Sequence, residues 1–135
     1  MRALDTNVLA RFFVDDPHDE QATKQRPAAI AALSDRAFVS VTVVLEFEWV
    51  MRGFYELARK DICKVLRALM TIEHVTVEDR DAVLIALDAL DKGLDFADAL
   101  HIARSGRATA FATFDQRLAK RATSLALTPP VELLN

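Results

Sequence analysis

The sequence predicts an α/β fold: a three-layer α/β/α sandwich around a short, mostly parallel central sheet. Three observations carry that expectation. Short strand-like runs alternate with helical patterns, and that order calls for right-handed crossovers between parallel strands. The strand-like runs Ala37-Phe38-Val39 and His74-Val75-Thr76-Val77 are apolar or β-branched, as suits strands covered on both faces. Apolar residues make up 52% of 135 residues, enough for one unstapled core, so residues 1–135 are expected to form a single domain.

Taken in order, Arg2-Ala3-Leu4 is a short strand running into Asp5-Thr6-Asn7. A helix is expected from Val8, capped by Thr6 or Asn7, ending near Asp15-Asp16-Pro17. From Asp19 the alanine-rich run to Leu33 favours a second helix, which Pro27 either kinks or restarts. After the strand at Ala37, Ser40 or Thr42 caps a helix that passes Trp49 and stops near Gly53. Asp61 to Met70 has helical apolar spacing and leads to the strand at His74. Asp79 opens a helix ending at Lys92-Gly93, and another spans about Asp95 to Arg104. Ala110 to Thr113 is the next strand, Asp115 opens a last short helix, and Val131-Glu132-Leu133 adds an edge strand. Repeats, linkers and low-complexity tracts are absent from the pattern.

Several function classes drop out early. Cys63 stands alone in an apolar helical pattern, so it forms no intramolecular disulfide and is expected to pack rather than react. The start Met-Arg-Ala-Leu-Asp lacks a signal-peptide layout, and no apolar run nears the roughly 20 residues of a membrane span, so a soluble, cytoplasmic protein with no membrane role is expected. A formal net charge of −3 argues against a general polyanion coat while leaving a nuclease open, because acidic metal ligands offset basic surface.

Four acids, Asp5, Glu46, Asp98 and Asp115, draw attention. Asp5 and Asp115 follow strand runs, and the carboxyl edge of a parallel sheet is where such folds place ligands. Asp5 can equally open the turn before the first helix, and Asp115 can cap the last. Glu46 has Thr42, Val43, Trp49 and Val50 at helical spacing, which suggests an acid on an apolar face in need of a partner, whereas Glu48 can pair with Arg52 one turn on. Asp95 and Asp98 share a helix face, with an ordinary helix start as the plainer account. Carboxylates brought together raise one another's proton affinity unless a hard cation such as Mg²⁺ or Mn²⁺ neutralises them. His18, His74 and His101 lack zinc spacing, so no histidine is given a ligand role.

The segments Leu4-Asp5-Thr6-Asn7-Val8-Leu9, Val43-Val44-Leu45-Glu46 with Trp49-Val50-Met51-Arg52, Asp95-Phe96-Ala97-Asp98-Ala99-Leu100 and Ala112-Thr113-Phe114-Asp115 resemble, in order and spacing, the PIN-domain ribonucleases, and more narrowly the VapC toxins of toxin-antitoxin pairs. The resemblance implies a PIN-like sandwich and a metal-dependent endoribonuclease whose acidic quartet is Asp5, Glu46, Asp98 and Asp115, with Asp5 and Asp98 as the foremost metal ligands. Asn7 and Thr113 would be polar supports, and Asp95 an accessory acid. It also implies Mg²⁺ or Mn²⁺ as cofactor, RNA as substrate, a homodimer, and a small VapB-like antitoxin covering the acidic cleft. A basic rim for RNA is sought at Arg117, Lys120 and Arg121, with Arg52, Arg104 and Arg107 as further candidates. Two other readings stand beside it: an RNA-processing nuclease of the same fold, and a receiver-like phosphoacceptor. The latter lacks its adjacent acidic pair and its late lysine.

Overall fold

A computed structural model describes residues 1–135, which divide into two compact units, Met1–Asp79 and Arg80–Asn135. Both have the predicted α/β character, with short parallel strands joined by helices.

The first unit begins with β1 (Arg2–Ala3), α1 (Thr6–Phe13), α2 (Glu20–Leu33) and β2 (Ala37–Val39). It continues through α3 (Val41–Gly53), α4 (Arg59–Thr71) and β3 (Val75–Val77). The strands form a sheet in the order β1-β2-β3, all parallel, with Arg2 beside Ala37 and Ala37 beside Val75. Parallel neighbours cannot be joined by a tight turn, so each connection carries two helices. Because the strands share a direction, the chain leaves β1 and β2 at the same edge, and the starts of α1 and α3 are brought together there. Ala37 and Val39 of the middle strand are fully buried, as are Leu9, Val44, Phe47, Met51, Ile62, Leu66 and Leu69 from the helices. Phe47 and Phe13 pack with ring centroids 6.0 Å apart, tying α3 to α1.

Three local outcomes differ from expectation or settle it. First, α1 starts at Thr6 rather than Val8, and Asp5 is its N-cap instead of Thr6 or Asn7. The extended backbone of Asp5 (φ −82°, ψ 161°) lets its carboxylate accept from Thr6 N at 2.8 Å, satisfying an otherwise orphaned amide. Second, α2 runs unbroken through Pro27, so the proline neither ends nor restarts it. Third, the burial assigned to Glu46 belongs to Glu48. Glu46 is exposed, while Glu48 is 1% exposed.

Arg52 Nε and Nη2 donate to Glu48 at 3.0 and 3.3 Å, the pairing expected from one turn of helix. Replacing Arg52 with Met is therefore expected to lower stability by about 2 kcal/mol, less than the roughly 3–5 kcal/mol of a fully enclosed pair because the arginine side chain is 47% exposed. Urea denaturation measures it, and the double variant Arg52→Met with Glu48→Met should recover part of the loss. A loss too small to measure would contradict the role of the pair.

The second unit contains α5 (Arg80–Asp91), α6 (Phe96–Ala103), β4 (Phe111–Thr113), α7 (Gln116–Ser124) and β5 (Val131–Leu133). β4 and β5 are parallel, with Phe111 beside Val131 and Thr113 beside Leu133, and α7 is the crossover between them. α5 lies against α6, and Val83, Ala86, Leu87, Phe96, Ala99 and Ile102 form the dry core of this unit. Gly93 ends α5 in the left-handed region (φ 99°), where its N–H donates to Leu90 O at 2.9 Å. Asp95 and Asp115 are N-caps, as their positions suggested, and Cys63, back in α4, is buried.

Candidate active site

At the carboxyl edge of the first unit's sheet, Asp5 lies two residues beyond β1 and Glu46 sits in the second turn of α3. They are linked through Thr6. This residue is only 4% exposed, and its hydroxyl donates to Glu46 Oε1, tying α3 to the first turn of α1. Being exposed, Glu46 does not need a partner to offset burial, and the one it has is a neutral hydroxyl that orients its charge without neutralising it. The cap to Thr6 N uses one oxygen of Asp5 and leaves the other for a ligand. Asn7 follows, exposed, on the same turn. Thr6 is the residue that sequence reasoning missed. Its position between Asp5 and Asn7 suggested only a cap, and the bond to a residue 40 positions away is a tertiary contact.

In the second unit, Asp95, Asp98 and Asp115 form an acidic neighbourhood. Asp95 Oδ2 accepts from Asp98 N at 3.1 Å, and Asp115 Oδ1 accepts from Leu118 N at 3.1 Å. Thr113 Oγ1 accepts from Asp115 N at 3.0 Å, fixing the turn that carries Asp115. Asp98 is half-buried. Desolvation, then the negative charges of Asp95 and Asp115, push its carboxyl above the usual 3.8, while His101 offsets part of the rise. Crowded, partly desolvated carboxylates of this kind favour either a proton or a cation.

No three His, Cys, Asp or Glu side chains form a group that could hold a metal ion as they are placed. The donor chemistry nevertheless suits a hard divalent cation, since both neighbourhoods offer carboxylate oxygens, and the charge crowding at Asp98 is the kind such an ion relieves. Of the proposed basic rim, Arg117, Lys120 and Arg121 are exposed on α7, and Arg121 also donates to Lys92 O at 3.3 Å. Arg52 is engaged by Glu48.

The family model of the PIN domain matches residues 2–123, nearly the whole chain. The chain belongs to the PIN-domain family. PIN domains are generally metal-dependent nucleases, and the match spans all four acids of the quartet as well as Asn7, Asp95 and Thr113. No curated protein and no solved structure matches the chain significantly. No helix of this PIN domain is long and apolar enough to cross a membrane.

Proposed function

We propose that this PIN-domain protein is an Mg²⁺- or Mn²⁺-dependent endoribonuclease, acting through Asp5, Glu46, Asp98 and Asp115. The observation that carries the reading is the placement of carboxylates beyond strand ends. Asp5 and Glu46 are joined through Thr6 in one unit, and Asp98 is crowded by Asp95 and Asp115 in the other. Asp5 and Asp98 are the residues that would hold the ion, with Glu46 and Asp115 completing the pocket. Bound there, a divalent cation supplies Lewis-acid stabilisation of charge on the attacked phosphate and lowers the pKa of water.

The chain's own residues do the rest. Thr6 aims Glu46, so its carboxylate does not have to be ordered at the moment of reaction. Thr113 does the same for the backbone at Asp115. A carboxylate set this acidic repels an unaccompanied phosphate, so exposed cations such as Arg117 and Lys120 would bring the strand in.

The finer role we propose rests on the resemblance of the motif order to that of VapC toxins: a homodimer held in check by a small VapB-like antitoxin that covers the acidic cleft. Purified protein offered RNA and DNA oligonucleotides of one sequence is expected to cut only the RNA, and only with Mg²⁺ or Mn²⁺. Cleavage of DNA alone, or of RNA in excess chelator, would refute the proposed activity. Growth arrest on expression, relieved by a short adjacent reading frame, is the expected sign of the toxin role; expression without effect on growth would count against it.

A further inference from the structure

An open groove of about 340 Å³ lies in the first unit beside α1 and α2, and its chemistry is unlike that of the acidic edge. Arg2 and Arg11 line it together with Asn7 and Gln25. No carboxylate does, in a chain with 20 acidic residues and a net charge of −3. The volume falls within the roughly 300–1,000 Å³ range of small-ligand sites. Val8 on α1 and Ala28, Ala29 and Ala32 on α2 supply the apolar part of the lining, and the short alanine side chains leave the space open.

The two arginines differ usefully. Arg11 is positioned, since its Nε donates to Gln25 Oε1 at 2.8 Å and its Nη1 to Tyr55 Oη at 3.0 Å, a neutral pair that leaves its charge uncompensated. Arg2 reaches Asp35 only at 4.0 Å, with the side chains 65% and 81% exposed, a contact weak enough for an anion to replace. Asn7 joins the groove to the start of α1, two residues from Asp5.

We propose that this groove is a nucleotide subsite for the RNA strand. Arg2 and Arg11 contact a backbone phosphate, the alanine lining of α2 takes the ribose and base, and the strand continues past Asn7 toward Asp5. The inference rests on the ribonuclease reading and adds to it the side from which the strand is held. Charge complementarity selects RNA over a protein segment as the occupant, because the polar groups here are cations and amides suited to phosphate and base edges.

The test uses the full chain, a 2′-O-methyl oligoribonucleotide that cannot be cut by attack of its own 2′-hydroxyl, and chelator, so that binding is read apart from catalysis. Arg2→Gln is expected to weaken binding several-fold and to lower the slope of log affinity against log salt by about 0.7, the value of one single-strand phosphate contact. Ala28, exposed on α2, allows a change of sign with little cost to folding. Ala28→Glu should weaken binding about tenfold, while Ala28→Lys holds or tightens it, with circular dichroism unchanged in both. Equal effects of Glu and Lys, or none from either, would overturn the subsite while leaving the nuclease reading standing if the unsubstituted protein still binds and cuts RNA. Loss of a protein partner from Ala28→Glu with RNA binding intact would also overturn it and give the groove to that partner. Failure of the unsubstituted protein both to bind this oligonucleotide and to cut unmodified RNA with Mg²⁺ or Mn²⁺ would remove the nuclease reading itself.

Discussion

Asp5→Asn is expected to lower metal-dependent RNA cleavage by at least roughly 10²-fold, the scale on which loss of one charge-stabilising group acts. The substitution separates the cap that Asp5 provides from its proposed part in metal binding. An amide oxygen can still accept from Thr6 N at the 2.8 Å cap position, so α1 should start where it does now. Only the negative charge and one potential metal-binding oxygen are lost. Cleavage of defined RNAs with Mg²⁺ or Mn²⁺ measures the effect, and unchanged circular dichroism checks the fold. Equal activity of the two proteins would assign the cleavage to another site or to a contaminant.

Asp98→Asn should cost activity on the same scale and yet stabilise the metal-free protein. The carboxyl of Asp98 is raised above its ordinary value by desolvation first, then by Asp95 and Asp115. A raised folded-state pKa means that the contribution of the protonated form is complete below the ordinary carboxylate value and is lost as pH rises through the raised value. At neutral pH the unsubstituted protein therefore carries a charge penalty that the D98N variant lacks. In chelator its Tm should be higher by about 1–3 °C, a modest gain because solvent screens a group that is only half-buried. The gain should fade as the solution is acidified, since protonation then removes the same charge from Asp98. Saturating Mg²⁺ or Mn²⁺ should reverse the order by stabilising the unsubstituted protein through binding. Thermal melts across pH, with and without metal, test this, and a lower Tm for the variant at neutral pH in chelator would contradict the crowding argument.

These expectations depend on features that were unevenly legible in the sequence. Local signals fared well. The caps at Asp95 and Asp115, the stop at Gly93, the Glu48–Arg52 pair and the strand at Val75 all depend on residues a few positions apart. The start of α1 was misjudged because Asp5, Thr6 and Asn7 are all competent caps, and the choice fell to the extended backbone at the end of β1. Glu46 and Glu48 show a different limit. Both have apolar neighbours at helical spacing, and which face of α3 is buried is decided by what packs on it, including Phe13 against Phe47. The order of the four acidic motifs was enough to indicate the family. The Thr6–Glu46 bond and the groove between two arginines were not legible, because each depends on residues far apart in sequence.

The proposed nuclease requires Asp5 and Asp98, distant in sequence, to serve one ion. Calorimetric titration of Mn²⁺ into the unsubstituted protein, Asp5→Asn and Asp98→Asn tests it most directly. Saturable binding in the first, weakened by about tenfold or more in each variant alone, is the predicted result. Binding in both variants with the affinity and stoichiometry of the unsubstituted protein would contradict it.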